Sequence, residues 1–593
     1  MSLPHALRSP VTVLLLLSLT IVACSGSTGP DASDGASLDG VVDDLADASG
    51  DTPSTPDVPG DTARATLLPR CEDTEPMGSA MDLPFVASTL VGTIDTVATR
   101  VASADPTTNP STEMGELAYR GMMLDQYRRG PGTARLRRVN LGGDVAVVDT
   151  ARRSIAYFVH VSDYQFVDDE SPARLAQTDN PVISGGLRPQ DGHLARAISA
   201  MHRTLGRIER PARQYDFGII TGDCADSAQL NETRWFIAAM DGGRINPDSG
   251  ADDDPVPGPD NDPKDPFVAT AFPAPWLYVP GNHDLMVVGI NIPDDVLRAR
   301  AIGTMPFTGT RDYRRWYAPV RTSAAPADPD RRLIERAEIA RELRAGAATP
   351  GPVGHGYTSM PDLRYGANYA YDAIPNLLRI VAIDTSDTTG GSSGMIRRDA
   401  LTMWLVPELQ RAQTDGMLVM LASHHPTTSI DRRMGEIGAE VADAVPPDEI
   451  ERTVAGFSNV IAWLVGHEHD NRVRPIPGAD VAHPGYWEIE TSALADWPGE
   501  TRIVELVNNG NGTLSIFATL IDFDTMNCLE RRYRRLQMMD FLAGWSSDHR
   551  GSAMDRNVEL VIPTPTSTTT RVSAASAMAP PRIESDTSLR GMP

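Results

Sequence analysis

The stretch Ser154–Gln165, SIAYFVHVSDYQ, is an apolar run that ends on polar side chains. Nearly continuous runs of this kind, rich in β-branched and aromatic residues, are typical of strands buried on both faces. In sheets covered by helices, binding sites gather at the carboxyl ends of the strands. The stretch therefore predicts a buried strand that delivers the carboxylate of Asp163 to a site at its end.

Five further apolar runs repeat this arrangement along the chain. Each is short and ends in glycine or polar residues, and they read YDFGIITGD, WLYVPGNHD, LLRIVAIDTSD, MLVMLASHHP and VIAWLVGHEHD. Helix-like segments such as HLARAISAMHRTLGRIER and RRDALTMWLVPELQRAQ lie between them. Strands that alternate with helices predict an α/β fold with layered sheets flanked by helices. Near the end, RIVELVNNGNGTLSIFATLID predicts a hairpin around an Asn/Gly turn.

The N-terminus predicts export. Arg8 precedes the apolar run Val11–Ala23, which is too short to span a bilayer as a helix and resembles the core of a signal peptide. Residues 21–24, Ile-Val-Ala-Cys, resemble a bacterial lipobox with Cys24 as the lipidated residue; an ordinary secretory signal with a chance cysteine is the alternative. We expect an exported bacterial lipoprotein, anchored to a membrane through Cys24 on the periplasmic face or the cell surface.

Composition divides the chain into five segments. The residues after the signal peptide are small and acidic, and those at the end are small and polar, so neither stretch can bury enough surface to fold. The predicted segments are a signal peptide (1–23), a disordered acidic linker (24–66), an N-terminal extension packed on the main domain (67–150), the main domain (151–562) and a disordered tail (563–593).

Two long insertions interrupt the alternation of strands and helices. Residues 241–275 are loop-like and rich in carboxylates; calcium binding is one reading, although an ordered ligand spacing is missing. Residues 293–362 contain arginine-rich helical segments, and we expect a lid or flap beside the site.

The net charge of the chain indicates which partners it can bind, and its cysteines bear on the cellular compartment. The formal net charge of −26 argues against a nucleic-acid polymer as partner, because phosphate binding needs a basic surface. Cys71 and Cys528 flank the folded region and could form a disulfide in an oxidising compartment, with Cys224 left free. Connectivity cannot be read from one sequence, so this pairing stays open.

Four strand ends carry side chains of types that can bind metals, and a histidine pair lies between the last two of them in the sequence. These groups are Asp163 with Gln165, the GDCAD of 222–226, the GNHD of 281–284, His424-His425-Pro426, and the GHEH of 466–469. Each alone is explained by a cap, a turn or a packed loop. Their occurrence together, in this order and each at a strand end, makes those separate explanations insufficient.

In this order the groups resemble the calcineurin-like metallophosphoesterase superfamily. Its pattern is D-x-H, G-D-x-x-D, G-N-H-D/E, a lone histidine and G-H-x-H, and the resemblance covers about residues 151–525. Four of the five groups match, and the first departs as D-x-Q. The surrounding SDYQFVDDESPAR, GDCADSAQLNE and YWEIETSALADWP resemble a bacterial branch that carries glutamine there.

The resemblance implies a layered metallophosphoesterase fold and a dinuclear metal-dependent phosphoric ester hydrolase. Two divalent ions (Mn, Fe, Zn or Mg) would activate a metal-bound hydroxide for attack on a phosphate mono- or diester. The residue roles that the resemblance implies are a bridging ligand (Asp223), ligands of the first ion (Asp163, Gln165, His469), ligands of the second ion (Asn282, His424, His467), a catalytic histidine that protonates the leaving oxygen (His283) and a carboxylate that orients this histidine (Asp284).

Gln165 raises the question of whether the first metal position is lost or retuned. An amide oxygen is a harder and weaker donor than imidazole, so we expect lower zinc affinity and a shift toward Mn²⁺, Mg²⁺ or Ca²⁺. The alternative function is a non-catalytic surface binding lipoprotein that retains the fold. Neither the ester cleaved nor the oligomeric state can be read from the sequence.

Five other polar residues invite a functional interpretation: His425 could contact substrate, and Arg174 could bind a phosphate oxygen. The structural alternatives are a core histidine or one that supports a ligand (His160), a loop histidine packed by proline (His425), a surface ion pair (Arg174), a strand-end carboxylate (Asp384) and a small packed thiol (Cys224), and we favour a structural role.

Overall fold

The computed structural model describes residues 94–96, 98, 122–129, 132–176, 184–208, 214–250, 257–309, 321–346, 349–435 and 437–582. The predicted signal peptide and acidic linker lie outside these residues, as does Cys71. Among the residues described, no helix combines the length and the apolar character that a membrane crossing requires.

Nineteen strands form within the described ranges. They are β1 (Ile94–Thr96), β2 (Tyr127–Arg129), β3 (Leu136–Arg138), β4 (Arg153–Val161), β5 (Phe217–Thr221), β6 (Arg244–Ile245), β7 (Phe267–Val268), β8 (Trp276–Val279), β9 (Pro306–Gly309), β10 (Arg321–Ala324), β11 (Tyr369–Ile374), β12 (Leu378–Ile383), β13 (Leu418–Ser423), β14 (Val460–Val465), β15 (Arg472–Asp480), β16 (His483–Glu490), β17 (Thr501–Asn508), β18 (Thr513–Ile521) and β19 (Val558–Pro563).

The α-helices of the same ranges are shorter and mostly follow strands. They are α1 (Leu194–Ile208), α2 (Leu230–Asp241), α3 (Asp295–Ile302), α4 (Arg336–Ala345), α5 (Val406–Thr414), α6 (Pro447–Ala455), α7 (Cys528–Leu542) and α8 (Thr569–Met578). A π-helical turn, Ala400–Leu405, leads into α5.

Two large mixed sheets carry the architecture. The first has seven strands in the order β3-β19-β18-β17-β4-β5-β8, and β4, β5 and β8 run parallel. The second has six strands in the order β11-β12-β13-β14-β16-β15, with β12, β13, β14 and β16 parallel and antiparallel strands at both edges. The predicted α/β class, with layered mixed sheets flanked by helices, is confirmed.

The two sheets share one core, and helices cover their outer faces. In β13, Leu418, Met420 and Ala422 belong to the core that also contains β4 and β5, whereas Val419 and Leu421 pack with α5 and α6. Successive side chains of a strand point to opposite faces. A strand covered on both faces therefore needs an apolar residue at every position, which explains the continuous runs.

The predicted hairpin is confirmed as β17 and β18, which pair antiparallel from Thr501 opposite Ile521 to Asn508 opposite Leu514. The described part of the N-terminal extension packs on the main body: β3 pairs with β19, and Leu124 is buried with residues of α7. Cys528 is disulfide-bonded, and its partner lies outside the described residues. Cys224 is free and buried, as predicted.

The prediction of a disordered tail from residue 563 is wrong for residues 564–582. They contain α8, whose Val572 is 2 % exposed and whose Arg571 donates to the carbonyls of Asp415 and Asn376. Beyond it, Arg582 lies 3.7 Å from the ring of Phe517. Composition hid this segment because one buried valine and a few arginine contacts hold it in place, and such contacts leave no periodic signal.

Removing residues 564–593 should lower the free energy of unfolding by at least about 2 kcal/mol, because it exposes the site of Val572 and breaks several hydrogen bonds. Urea denaturation would measure the loss. Removal of residues 583–593 alone is the control and should change little. Equal stability of the two truncated proteins would contradict the docking of α8.

Candidate metal centre

Five strand ends from both sheets deliver the predicted site residues to one place. β4, β5 and β8 of the first sheet lead to Asp163 and Gln165, to Asp223, and to Asn282 and His283; β13 and β14 of the second lead to His424 and to His467 and His469. Contacts across the sheets join them: Asp223 Oδ2 lies 3.0 Å from His424 Nε2, and Asp163 Oδ1 lies 3.3 Å from His469 Nε2. All seven predicted ligands are thus brought together.

Five of these residues have backbone angles that side chains other than glycine rarely adopt. Their φ values are 52° (Asp163), 44° (Gln165), 52° (Asp223), 79° (His467) and 60° (His469). Each such residue costs of the order of 1–3 kcal/mol and persists only where its surroundings enforce it. Here the backbone N–H of Gln165 donates to the carbonyl of Asp223 at 2.8 Å, which fixes the two loops against each other. This strain aims the side chains at a common point.

Two glycines allow the loops to approach this closely. A Cβ on Gly281 would lie 2.0 Å from Asp223 Oδ1, and a Cβ on Gly466 would lie 1.8 Å from Ser162 Oγ and 2.6 Å from Asp163 Oδ2. All three distances are far below van der Waals contact. Glycine is therefore required at these positions to leave room for the carboxylates.

Two buried amide oxygens at this place, Gln165 Oε1 and Asn282 Oδ1, have no hydrogen-bond partner among the described residues, and the buried Asp163 Oδ1 faces His469 Nε2 at 3.3 Å. The amide of Asn282 is held in this orientation because its Nδ2 donates to the carbonyl of Gly289 at 3.0 Å. Carboxylate and amide oxygens beside imidazole nitrogens are a donor set that divalent cations accept. The residues present therefore fit a divalent metal centre.

The imidazoles are fixed so that one nitrogen of each faces the carboxylates. His424 Nδ1 donates to the carbonyl of Thr221 at 2.7 Å, and His469 Nδ1 donates to Asp496 Oδ2 at 2.6 Å. Each bond leaves Nε2 directed inward. A carboxylate behind a histidine ligand sets its tautomer and strengthens it as a donor. Asp496 therefore belongs to the site, and sequence reasoning missed it.

Asp496 is itself held by Arg188, whose Nε donates to Asp496 Oδ1 at 3.0 Å. Neither residue stands in a motif that marks it. The only trace of Asp496 in the sequence is its place in YWEIETSALADWP. Its role became visible only when the fold placed it beside His469.

Burial and neighbouring charge act in opposite directions on the histidines. Burial opposes protonation of His424, but the Asp223 and Asp163 carboxylates raise its pKa to about 9. Burial also opposes protonation of His469, but the Asp163 and Asp496 carboxylates raise its pKa to about 10. Burial and the charge on His424 lower the pKa of His467 to about 4.

His283 stands at the edge of the ligand cluster with one nitrogen open. Its Nδ1 donates to the carbonyl of Asp226 at 2.7 Å, its Nε2 lies 4.0 Å from Asp223 Oδ2, and its side chain is 13 % exposed. The imidazole is thus held in one tautomer by a backbone carbonyl, with Nε2 directed at the site.

The expected role of Asp284 in orienting His283 is wrong. Asp284 accepts hydrogen bonds from the backbone N–H groups of Cys224, Ala225 and Gly281, at 2.9, 2.9 and 2.8 Å. Its carboxylate ties the loop after β5 to the loop after β8. Adjacency in the sequence suggested contact with His283, whereas the carboxylate accepts hydrogen bonds from these three backbone groups.

Two other histidines near the ligands have structural roles, as favoured. His160 lies between the hydroxyls of Thr221 and Thr491, at 3.0 and 2.9 Å, and burial lowers its pKa to about 3. His425 uses both nitrogens, toward Thr385 Oγ1 at 2.8 Å and the carbonyl of Ser392 at 2.9 Å. Neither has a nitrogen left for a ligand.

The expected surface ion pair of Arg174 is wrong, because this residue is fully buried and its Nη2 lies 2.5 Å from Asp191 Oδ2. Asp384 is structural, as favoured, and binds Arg336 Nε at 2.7 Å. In the carboxylate-rich insertion, Asp265 accepts hydrogen bonds from its own turn. The groups of potential metal ligands found in the described residues include none of that insertion's carboxylates.

No protein-family model and no curated protein matches the chain. Among solved structures, a dimetal phosphatase from Danio rerio is similar at 12 % identity and a TM-score of 0.31, covering 63 % of this chain and all of that one. A purple acid phosphatase from yellow lupin (Lupinus luteus) seeds is similar at 11 % identity and a TM-score of 0.30, covering 74 % of this chain and 58 % of that one. At these TM-scores neither likeness supports a conclusion about this chain.

Replacing Gln165 with histidine should raise zinc affinity at the first metal position by roughly an order of magnitude, because imidazole is a better zinc donor than an amide oxygen. Histidine tolerates the positive φ of this position better than most residues do. Competitive titration against a chelator would measure both positions. If wild-type zinc affinity at the first position already equals that at the second, the expectation of a retuned site is wrong.

Metal binding should release protons at neutral pH. In the metal-free protein His424 and His469 have pKa values of about 9 and about 10, so both are protonated at pH 7, whereas a metal needs their neutral forms. The apparent affinity should therefore rise with pH up to about 9 and flatten above about 10. Calorimetry at pH 7 in buffers of different ionisation enthalpy would count the protons, and identical heats in all buffers would contradict this.

Proposed function

We propose that this chain is a metal-dependent phosphoesterase that hydrolyses small phosphate mono- or diesters. One observation carries the proposal: side chains from strand ends of both sheets meet, with Asp223 Oδ2 3.0 Å from His424 Nε2 and Asp163 Oδ1 3.3 Å from His469 Nε2, and hydrogen bonds at Nδ1 fix both imidazoles. Asp163, Asp223 and His424 each have an atom within 4.8 Å of the other two, close enough to hold one metal ion. Their arrangement fits a centre that neutralises a phosphate and activates water.

The residues would hold two divalent ions. In the proposed division, Asp223 is shared, Asp163, Gln165 and His469 hold the first ion, and Asn282, His424 and His467 hold the second. Ions bound there would neutralise charge on the phosphoryl oxygens and supply a nucleophile at neutral pH. Asp496 keeps His469 in the tautomer that presents Nε2, through the 2.6 Å bond at its Nδ1.

His283 is the proposed acid of the reaction. Its Nδ1 proton is bound to the carbonyl of Asp226, so the proton that it can deliver is the one on Nε2. In the protonated form, Nε2–H would bind a phosphoryl oxygen and then transfer its proton to the leaving oxygen. The backbone N–H of His283 also donates to Asp223 Oδ1 at 2.9 Å, which ties the acid to the shared ligand.

We further propose that the protein acts outside the cytoplasm, as an exported lipoprotein anchored to a membrane only through Cys24. A disulfide at Cys528 supports an oxidising compartment. The net charge of −26 supports a small ester as substrate and argues against a nucleic-acid polymer.

Replacing Asp223 with asparagine should lower turnover of chromogenic phosphate mono- and diesters at least about a hundredfold, because the shared ligand loses its charge. The assay would compare Mn²⁺, Mg²⁺, Zn²⁺ and Ca²⁺. Asp480→Asn, an exposed carboxylate change on β15, is the control and should leave turnover unchanged. A folded, metal-loaded wild-type protein that hydrolyses neither ester would favour the non-catalytic binding lipoprotein instead.

A further inference from the structure

A histidine outside every predicted motif lies beside the candidate centre. His549 follows α7, and its ring centroid is 5.9 Å from that of His469. One nitrogen or oxygen atom from each of His469, Asp496 and His549 lies within 4.8 Å of the other two. The C-terminal part of the chain thus reaches the predicted ligand His469 and its partner Asp496.

The position of His549 is set by the segment that follows the ligand His469. Its Nδ1 donates to Asp470 Oδ1 at 2.7 Å, and its carbonyl accepts from the backbone N–H of Asn471 at 3.0 Å. A Cβ at Gly551 would lie 2.0 Å from the carbonyl of Asn471, so this loop is packed directly on that segment. The imidazole is therefore held in a fixed place and tautomer.

His549 resembles His283 in construction. Each imidazole has its Nδ1 bound by an oxygen of the chain and its Nε2 without a hydrogen-bond partner within the described ranges. The side chains are 13 % and 15 % exposed, for His283 and His549 respectively. Two imidazoles with an open Nε2 thus border the ligand cluster.

The group of His549, His469 and Asp496 does not form a separate metal site. Asp496 uses Oδ2 for His469 and Oδ1 for Arg188, and Nδ1 of His469 is bound to Asp496. The Nε2 of His469 faces Asp163, in the candidate centre already described. The nitrogen left open in this group is the Nε2 of His549.

We propose that His549 contacts the substrate, with Nε2 hydrogen-bonded to an oxygen of the phosphate ester on the side of the first metal position. The inference rests on the proposed function and adds to it a binding residue from outside the motifs. A hydrogen bond to a charged oxygen is worth about 1.5–3 kcal/mol, which corresponds to about a 10- to 100-fold change in affinity.

Two substitutions separate contact with substrate from a structural role. In His549→Asn the side-chain amide occupies the place of Nδ1 and keeps the bond to Asp470, but nothing replaces Nε2. In His549→Gln the amide reaches the place of Nε2. His483→Asn is a matched control, because His483 Nδ1 lies 3.1 Å from Asp480 Oδ1 at the amino end of β16, away from the site.

The primary measurement is calorimetric binding of inorganic phosphate to the metal-loaded protein, with metal content determined for each variant. We expect His549→Asn to weaken phosphate binding about 10- to 100-fold at unchanged metal content, His549→Gln to restore part of it, and His483→Asn to match wild type. Ester hydrolysis should follow the same order in kcat/KM. In the wild-type protein, phosphate should also shift the ¹⁵N resonance of His549 Nε2, which tests the contact without any substitution.

The outcomes separate this inference from the proposed function. If no ester is hydrolysed but His549→Asn still weakens phosphate binding, the proposed function fails and the contact stands. Wild-type phosphate affinity in His549→Asn, or no phosphate binding by the wild-type protein, overturns the inference. Loss of metal from His549→Asn also overturns it, because His549 would then be a ligand.

Discussion

Two buried carboxylates held close together are the constraint on which the rest of the site depends. Burial acts to raise the pKa of both Asp163 and Asp223, and the charge on Asp223 adds to this at Asp163, yet the neighbouring imidazoles lower both. Two of those imidazoles, His424 and His469, come from the other sheet, so the charge balance of the centre requires both sheets to meet at this edge. In return, the carboxylates raise the pKa of His424 to about 9 and that of His469 to about 10. The centre is thus prepared for cations before any cation binds.

Holding these side chains in place requires strained backbone conformations. Asp163, Asp223 and His467 are among the residues with positive φ, and a chain selected for stability alone would not place them there. The large core shared by the two sheets holds the loops in place, since the strands that lead to these residues are buried along almost their whole length. Rigid strands with strained ends are a known way to fix functional side chains.

Part of the site could be predicted from the sequence, namely the polar residues that directly follow an apolar run. The run is recognisable as a buried strand, and the strand determines where the residues after it lie. That logic located Asp163, Gln165 and the histidines. It failed for Asp496, which is distant from His469 in the sequence and meets it only in the folded chain. It also failed for Asp284, which follows His283 in the sequence but accepts hydrogen bonds from backbone groups instead. The tail helix was missed for a related reason, since its contacts are few and its composition resembles a linker.

Because the predicted ligands come from two sheets, a bound metal ion would also hold the two sheets together. β4, β5 and β8 contribute from one sheet and β13 and β14 from the other, so any ion held between them is a cross-link through the middle of the molecule. An ion that binds the folded chain and not the unfolded one adds RT ln(1 + [L]/Kd) to the free energy of unfolding. The stability of the protein would then depend on the free metal concentration around it. The same atoms that would serve chemistry would also make the fold a sensor of its ionic surroundings.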